Sequence, residues 1–254
     1  MNYSLVILRK LPYYLFSVLQ LIKQLKNPWI LFAIAVGRAG TLRFRNGLMF
    51  SVTQPIDLLI LKETMIDDHY GLGELDSPRT IIDVGAAFGD FCVSAARRFP
   101  KARILAFEPN REAYILLQKN IKANNLKRIT AYNYAVSTSH KLRFYIAKYN
   151  VRSSAIKDSL SRRYITAKGV RLSKYINGPV DLLKIDTEGG EEDVLASITD
   201  KQFKTILRIV CEYHNYLVDE QDRKLVKFLK AKGYNTICNS DPYYPKIGYL
   251  VAYR

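Results

Sequence analysis

Residues 82–91 read IDVGAAFGDF and join an apolar run to a turn of small residues and then to a helix-like run. The apolar run begins at Thr80 and is typical of a buried strand, and Asp90–Arg98 follows with helical character. Gly85 and Gly89 let the backbone of the turn approach a ligand closely, and the N–H groups at the helix start face that ligand. The two glycines are four positions apart, so the run lacks the GxGxxG pattern of dinucleotide-binding turns. It predicts a strand, a turn suited to ligand binding and a helix, with an ordinary tight turn as the alternative.

Strand-like and helix-like runs alternate after residue 79, which predicts a parallel sheet covered by helices on both faces. The predicted strands are Thr80–Val84, Ala102–Glu108, Ile129–Val136, Val180–Asp186 and Ile206–Glu212. The predicted helices are Asp90–Arg98, Arg111–Asn125, Glu191–Thr199 and Val218–Lys232. A short Pro-rich connection joins the last two runs, which predicts an antiparallel pair at the sheet edge formed by Tyr234–Asn239 and Gly248–Tyr253. The expected fold class is α/β, with a doubly wound, seven-stranded and mostly parallel sheet.

Residues 1–78 are expected to form an N-terminal extension, and residues 79–254 the α/β domain. Apolar residues recur at helical spacing within residues 11–25 and predict an amphipathic helix whose apolar face is Leu11, Leu15, Val18, Ile22 and Leu25. Trp29 and the absence of nearby acids are typical of a helix that lies in a membrane interface. Packing against the main domain or a second subunit is the alternative interpretation. Asn46-Gly47 within Thr41–Val52 predicts a hairpin, followed by a helix over Pro55–Tyr70.

The charge of the chain is concentrated in two segments. The 254 residues carry 39 Lys and Arg against 23 Asp and Glu, a net charge of +16. Residues 1–56 contain no acid and carry +7, and residues 141–180 carry +9, so the remainder is neutral. Such segments attract phosphates, acidic lipid headgroups or nucleic acid, although a solubilising surface has the same composition. The 48% hydrophobic content excludes an intrinsically disordered chain.

The expected compartment is the cytoplasm. The uncharged run 27–37 would rise only about 16 Å as a helix, against about 30 Å of bilayer hydrocarbon, so it is too short to span. A cleaved signal peptide is not expected, because a long charged segment precedes this run. The three cysteines are far apart and form no CxxC pair, which argues against a disulfide framework or a zinc site.

Ligands of doubly wound sheets bind beyond the carboxyl ends of the strands. The turn from Asp83 to Gly89 lies there, and Glu108 ends the next strand 25 positions later. An acid at about this spacing accepts hydrogen bonds from ribose hydroxyls in nucleoside sites. A surface carboxylate that caps the following helix is the alternative. Together the turn and the acid favour a nucleoside.

Polar residues also end the fourth and fifth predicted strands. Lys184 and Asp186 share one face of the fourth strand, so their charges can pair at the edge of the site. Glu188 follows in a helix start, where a purely structural role is the alternative. Glu212 and His214 lie on one side of the fifth strand, at the edge where reacting groups collect.

Five runs together resemble the FkbM family of S-adenosylmethionine-dependent methyltransferases. They are IDVGAAFGDF at 82–91, FEPN at 107–110, AVS at 135–137, LLKIDTEGGEEDVL at 182–195 and EYH at 212–214. The resemblance covers about Thr80–Asn239 and implies a Rossmann-like class I methyltransferase domain with S-adenosylmethionine as cofactor. By this resemblance Gly85, Ala87 and Gly89 line the methionine part, Glu108 holds the ribose and residues 133–136 lie near adenine. The full expected cofactor-binding set is Asp83, Gly85, Ala86, Ala87, Phe88, Gly89, Glu108, Pro109, Asn133, Ala135 and Asp186.

The resemblance implies methylation of a hydroxyl of a sugar, a glycan or a small metabolite. Methyl transfer requires alignment of the acceptor oxygen and removal of its proton. The candidate catalytic residues are His214 and Asp186 as base or relay, Glu188 and Glu212 as orienting groups, and Lys184 as the partner of Asp186. His214 and the three carboxylates also have the donor atoms of a divalent metal site, which is an open alternative.

The basic insertion Ser139–Lys174 favours an anionic acceptor, such as a lipid-linked, phosphate-bearing glycan at an acidic membrane surface. The basic residues expected to meet it are Lys148, Arg152, Arg162 and Arg163. Tyrosines 132, 134, 145 and 149 are candidates for a sugar-stacking platform, with core packing as the alternative. Peripheral attachment to the inner face of the membrane would follow.

Two other classes of protein compete with this interpretation. Basic surfaces also occur on RNA methyltransferases. Asp186-Thr187-Glu188 differs from the Asn/Asp-Pro-Pro-aromatic motif of base-amine methyltransferases, and carboxylates at the mouth would repel phosphates, so nucleic acid is the less favoured partner. A non-enzymatic nucleoside-binding module would keep the fold without catalysis. A nicotinamide-dependent dehydrogenase is disfavoured by the missing third glycine.

Overall fold

The structure is a computed structural model that describes residues 13, 16–146, 153–154, 163–241 and 245–254. The chain divides into two compact units, Met1–His69 and Tyr70–Arg254. Tyr70 belongs to the second unit, so the division falls before the break expected after residue 78. Some predicted positions lie outside the described residues: Leu11, Leu15, Lys148, Tyr149, Arg152 and Arg162.

The first unit contains short helices and a hairpin. Helix α1 covers residues 16–24, α2 is Ile30–Ala35 and α3 is Ile56–Met65. Strand β1 (Gly40–Arg43) pairs antiparallel with β2 (Met49–Val52), which confirms the predicted hairpin. No helix in the described part of the chain is long and apolar enough to cross a bilayer.

The predicted apolar face of α1 is only partly buried. Leu21 and Leu25 are buried, whereas Val18 and Ile22 of the predicted face are 44% and 39% exposed. Ser17 is also buried, and its hydroxyl donates to the carbonyl of Tyr13 at 2.7 Å. Exposed apolar side chains of α1, α2 and their flanks form a surface named here the N-terminal apolar face: Phe16, Val18, Leu19, Ile22, Trp29, Phe32 and Val36.

The second unit contains the predicted mostly parallel sheet. Its seven described strands have the order β12-β13-β11-β10-β3-β4-β5. Their bounds are β3 Thr80–Val84, β4 Arg103–Phe107, β5 Ile129–Tyr132, β10 Leu182–Ile185, β11 Arg208–His214, β12 Asn235–Ser240 and β13 Ile247–Tyr253. Strand β13 pairs antiparallel with both β11 and β12, whereas β5, β4, β3, β10 and β11 pair in parallel. The fold class and the antiparallel edge pair are confirmed.

The helices of this unit lie close to their predicted positions. They are α4 Asp90–Arg98, α5 Arg111–Ala123, α6 Glu191–Ala196, α7 Asp200–Phe203 and α8 Gln221–Ala231. The predicted helix Glu191–Thr199 ends early because Thr199 begins a new helix: its side chain accepts from the N–H of Gln202, and Gln202 reciprocates in a capping box.

The predicted strand Ile129–Val136 is two strands in two sheets. β5 ends at Tyr132, and β6 (Ala135–Val136) pairs in parallel with β9 (Arg163–Val170). A small sheet of order β6-β9-β7-β8, described for β7 Lys141–Ile146 and β8 Ser153–Ser154, was not predicted. The break occurs at Asn133, whose side-chain amide donates to the carbonyls of Glu108 and Pro109 at 2.8 and 3.1 Å.

Four neighbouring parallel strands bring three polar residues and the glycine turn to the same edge of the main sheet. β4, β3, β10 and β11 are consecutive neighbours, and their carboxyl ends lead to Glu108, Gly85, Asp186 and His214 respectively. Below this edge, the core includes Ile82, Leu105, Leu183 and Ile209. Buried apolar strands thus fix the positions of the polar residues that follow them.

Candidate active site

The turn after β3 is fixed by its neighbours on both sides. The N–H groups of Gly85 and Ala86 both donate to the carbonyl of Phe107 at 3.0 Å. A Cβ atom added to Gly85 would lie 1.7 Å from the carbonyl oxygen of Asp186, and Gly85 has φ +80°. Glycine is therefore required there for both space and conformation. Ala87 also has a positive φ, +45°.

The far end of the turn starts α4. Gly89 precedes that helix at φ +93°, and a Cβ there would lie 2.7 Å from Leu117 Cδ1. The carbonyl of Phe88 accepts from the Asn120 amide at 2.9 Å. The side chains of Ala86 and Phe88 are buried. These two predicted cofactor-lining residues therefore offer their backbone, not their side chains.

Glu108, which follows β4, accepts a hydrogen bond from the same turn. Its Oε2 accepts from the N–H of Ala87 at 2.8 Å, and its Oε1 accepts from the N–H of Asn110 at 2.7 Å. Burial raises the pKa of Glu108 to about 7, although both backbone donors oppose the rise. Asn110, not Glu108, caps α5, because its side chain accepts from the N–H groups of Glu112 and Ala113. The alternative reading of Glu108 as the helix cap is excluded.

The residues predicted to lie near adenine belong to two different parts of the structure. Asn133 remains beside Glu108 and Pro109 through its two amide hydrogen bonds. The Ala135 side chain is buried in a cluster with Phe144 and Ala167 of the small sheet. Of the predicted tyrosine platform, Tyr132 stacks on Phe107 at 5.0 Å between ring centroids. Tyr132 and Tyr134 pack against the main core, as the core-packing alternative expects.

Lys184 is buried next to the turn and contacts the turn as well as two neighbouring carboxylates. Its side chain is 2% exposed, and its Nζ donates to the carbonyl of Gly85 at 2.6 Å. The same nitrogen lies 3.1 Å from Asp83 Oδ1 and 3.7 Å from Asp186 Oδ2. Burial alone would lower the pKa of Lys184, but the charges of Asp83, Asp186 and Asp90 raise it. A permanently charged ammonium in this position orients the turn and Asp186.

Tyr70 joins the ends of β10 and β11. Its hydroxyl donates to Asp186 Oδ2 at 3.1 Å and to Glu212 Oε2 at 3.2 Å. The ring is buried edge-on against Phe91 and Tyr249. Burial, followed by the charges of the two carboxylates, raises the pKa of Tyr70 well above its usual value. Sequence reasoning missed this residue, which precedes the sheet and carries no motif.

His214 is buried among carboxylates. Its Nε2 lies 3.5 Å from Glu188 Oε2 and 3.8 Å from Glu212 Oε1, and its Nδ1 lies 3.5 Å from Glu191 Oε1. Burial lowers the pKa of His214, but Glu191 and the charges of Glu188 and Glu212 raise it to about 10. The surrounding carboxylates therefore favour the charged form of His214. Its role as base or relay stays a prediction.

Glu191 and Gln221 also contact His214: Glu191 faces the ring, and Gln221 bonds the backbone. Glu191 Oε1 accepts from the N–H groups of Thr187 and Gly189, and its Oε2 accepts from the Gln221 amide at 2.6 Å. Gln221 Oε1 accepts from the backbone N–H of His214 at 2.6 Å. Burial alone would raise the pKa of Glu191, but His214 and the backbone donors lower it. Neither residue was a candidate from the sequence, although Glu191 lies within the quoted motif.

The site as a whole is acidic. Five described carboxylates lie within 4 Å of Lys184 Nζ or a ring nitrogen of His214, those of Asp83, Asp186, Glu188, Glu191 and Glu212. These acids outnumber the two bases. Such a concentration attracts cationic ligands to the sheet edge.

The sheet has the strand order of class I, S-adenosylmethionine-dependent methyltransferases. Its glycine turn is hydrogen-bonded to an acid at the end of the next strand, and the two features together define that class of enzyme. Residues 83–236 match the family described as the Methyltransferase FkbM domain. The match covers more than half of the 254 residues. The chain belongs to the FkbM methyltransferase family.

Two similar proteins are also named as methyltransferases. "Methyltransferase 1" of Beauveria bassiana is 26% identical over 223 residues, which are 77% of this chain and 89% of the relative. "31-O-demethyl-FK506 methyltransferase FkbM" of Streptomyces tacrolimicus is 25% identical over 241 residues, 80% of this chain and 91% of the relative. These matches agree with the sequence-based resemblance and establish the enzyme as a methyltransferase.

A solved relative supports the fold. The crystal structure of methyltransferase FkbM from Methylobacillus flagellatus superposes with a TM-score of 0.55 at 13% identity, over 97% of this chain and 60% of the other. The described residues also fit the cofactor. The turn holds Gly85, Ala87 and Gly89 at positive φ, and the buried Glu108 carboxylate contacts it through Oε2.

Proposed function

We propose that the enzyme methylates a hydroxyl oxygen and that Asp186 connects cofactor to acceptor. One observation carries the proposal. The Asp186 carbonyl lies against Gly85 of the cofactor turn, and its carboxylate shares the Tyr70 hydroxyl with Glu212. Carboxylates beside the methyl donor suit an acceptor that is a weak acid and has to lose a proton.

The cofactor would extend along the edge from β4 toward β10. Glu108 would accept hydrogen bonds from the ribose hydroxyls, and the backbone from Gly85 to Gly89 would hold the methionine part. Asn133 holds the β4 connection in place on the adenine side. S-adenosylmethionine supplies an electrophilic methyl group on a sulfonium sulfur. Neighbouring strands are about 4.8 Å apart, so the ends of β10 and β11 lie one and two strands beyond the turn.

The protein's own groups would align the acceptor and take its proton. Asp186 is the proposed base or relay, because its backbone lies against Gly85 and its carboxylate lies at the end of the neighbouring strand. Tyr70 and Lys184 fix its direction through Oδ2. His214 and Glu188 would orient Glu212 and the acceptor. No covalent intermediate is required for a displacement of this kind, so positioning carries most of the catalysis.

The acceptor would be a sugar, a glycan or a small metabolite with a free hydroxyl. The name of the Streptomyces tacrolimicus relative specifies a 31-O-demethyl compound, which supports oxygen as the methylated atom. The small sheet supports an anionic acceptor. Lys141, Arg143, Thr166 and Lys168 are exposed and alternate with buried positions on β7 and β9. Arg143 also stacks over the Tyr164 ring at 5.2 Å, a pairing suited to flat or anionic groups.

The first unit supports peripheral attachment to an acidic membrane surface from the cytoplasm. The N-terminal apolar face exposes Trp29 and Phe32 by 72% and 79%. The described part of that segment, up to residue 56, carries basic residues and no acid. Apolar side chains flanked by cations bind at the interface of anionic bilayers. A lipid-linked glycan would be presented at such a surface.

Product analysis tests the proposal. The purified chain is incubated with labelled S-adenosylmethionine and, separately, with hydroxylated small metabolites, phosphate-bearing lipid-linked glycans, aliphatic amines and total RNA. Mass spectrometry then locates the label. Transfer to oxygen in either of the first two sets supports the proposal. Transfer only to amines or to RNA bases, or none to any hydroxyl, overturns it.

A further inference from the structure

We propose that Asp186, Glu212 and His214 bind a divalent cation that activates the acceptor hydroxyl. The role of the cation rests on the proposed hydroxyl methylation, whereas its binding does not. The three residues come from adjacent strands, because Asp186 follows β10 and the other two share one side of β11.

The donor atoms lie close enough together to converge on one ion. One carboxylate oxygen of Asp186, one of Glu212 and a ring nitrogen of His214 all lie within 4.8 Å of one another. Ligands bound at roughly 2.1 Å to one octahedral ion stand about 3.0 to 4.2 Å apart. The 3.8 Å between His214 Nε2 and Glu212 Oε1 falls in that range and is too long for a direct hydrogen bond.

His214 is the second, independent observation. Its side chain is 3% exposed, yet both ring nitrogens stand 3.5 Å or more from the surrounding carboxylates. Nδ1 is buried with no hydrogen-bond partner. Nε2 faces Glu212 and Glu188, and Nδ1 faces Glu191, which is the arrangement in which a carboxylate orients a metal-binding histidine through its other ring nitrogen. Glu191 is itself held by Thr187, Gly189 and Gln221.

Tyr70 orients the two carboxylates in the same way. It donates to Asp186 Oδ2 and Glu212 Oε2, while Glu212 directs Oε1 toward His214. The Lys184 ammonium lies on the Oδ2 side of Asp186, the side taken by Tyr70. Five carboxylates against two bases leave negative charge that a divalent ion would offset.

The donor set selects the kind of cation. Carboxylates suit Mg²⁺ and Mn²⁺, imidazole suits Zn²⁺ and other transition metals, and Mn²⁺ accepts both donor types. Three protein ligands leave coordination positions for an acceptor hydroxyl, whose pKa the cation lowers. The acceptor oxygen then bonds to the methyl carbon as that carbon's bond to the sulfonium sulfur breaks, and the hydroxyl proton leaves to water. With a cation present, Asp186 acts as ligand instead of base.

Direct Mn²⁺ binding tests the site without any acceptor. The full chain, treated with chelator and dialysed, is titrated with Mn²⁺ and free ion is followed by electron paramagnetic resonance. Wild type and Glu192→Gln, an exposed acid on α6, should bind one Mn²⁺ per chain with equal affinity. Asp186→Asn and His214→Ala should bind at least about tenfold more weakly. Thermal melts and S-adenosylmethionine titrations show that the variants are folded.

Two results would overturn the site: no binding to wild type at millimolar Mn²⁺, or equal binding by all four proteins. Methyl transfer is then measured with and without added Mn²⁺ on any acceptor that is a substrate. Activity that survives chelation unchanged removes the catalytic role. Mn²⁺ binding that is intact in an enzyme that methylates only amines would leave the cation site standing and the proposed function refuted.

Discussion

The hydroxyl of Tyr70 lies 3.1 Å from Oδ2 of Asp186, although 116 residues separate them in the chain. The same hydroxyl reaches Glu212 at 3.2 Å. Tyr70 precedes the first strand of the main sheet, whereas Asp186 follows β10 and Glu212 lies near the end of β11. A single phenol therefore fixes the relative orientation of the carboxylates of Asp186 and Glu212.

Removal of that hydroxyl should impair turnover more than stability. In Tyr70→Phe the ring packing against Phe91 and Tyr249 is retained, but both carboxylates lose a donor. We expect kcat to fall about 10- to 100-fold with S-adenosylmethionine affinity changed less than about threefold, as for a lost positioning contact. The exposed Tyr253→Phe is the control. Equal kcat in the two variants would show that Tyr70 does not position the carboxylates.

Gly85→Ala should abolish cofactor binding. The added Cβ would lie 1.7 Å from the Asp186 carbonyl, and backbone atoms on both sides cannot move aside without separating β3 from β10. The left-handed φ adds a conformational cost of roughly 1 kcal/mol or more. Gly178→Ala is the matched control, because nothing lies within 4 Å of its Cβ position. Urea unfolding and calorimetric titration measure both variants, and a folded Gly85→Ala that binds normally would contradict the site.

Cofactor affinity should depend on pH through Glu108. Its pKa is raised to about 7 by burial, so the carboxyl is largely neutral below that pH and charged above it. A ribose hydroxyl donates more strongly to the charged form, and affinity should therefore rise as pH increases from 6 to 8. Glu108→Gln should bind S-adenosylmethionine about tenfold more weakly at pH 8 and without this pH dependence. Titrations of wild type, Glu108→Gln and the surface control Glu192→Gln at pH 6, 7 and 8 provide the measurement; identical pH profiles would refute a ribose contact.

Local pattern determined the parts of the fold that were predicted correctly. Thr80–Val84 and Asp90–Arg98 have the predicted bounds, because a buried apolar run and a glycine turn are both visible in adjacent residues. The break at Asn133 depends on hydrogen bonds to Glu108 and Pro109, more than 20 residues away, and strand propensity carries no sign of it.

The candidate site also contains some residues that the local sequence pattern indicates and others that only contacts between distant segments reveal. Glu108, Asp186, Glu212 and His214 were found because strand ends of a parallel sheet converge. Tyr70 and Gln221 act through contacts between distant segments, which a single sequence does not specify. The charge state of His214 also required the structure, since three carboxylates from two segments determine it.

The N-terminal apolar face should mediate vesicle binding. Trp29→Ser with Phe32→Ser removes two exposed rings, whose insertion into a bilayer interface is worth roughly 1.5 to 3 kcal/mol each. We expect sedimentation with acidic vesicles to weaken at least tenfold while the melting temperature stays within about 2 °C. Leu207→Ser, an exposed residue of the second unit, should sediment as wild type does. Absence of wild-type binding, or equal binding to neutral vesicles, would count against an electrostatic membrane anchor.

The buried pair of Lys184 and Asp83 should stabilise the fold only as a pair. Lys184→Met leaves the fully buried Asp83 carboxylate without its cation and removes the donor to Gly85, so we expect the free energy of unfolding to fall by about 3 to 5 kcal/mol. The double variant Lys184→Met with Asp83→Asn removes the unpaired charge and should recover part of that loss. It should not recover cofactor affinity, because no cation then holds the turn and Asp186. Urea unfolding and S-adenosylmethionine titration of the single and double variants separate the two effects, and a double variant that regains full affinity would show that Lys184 contributes to stability alone.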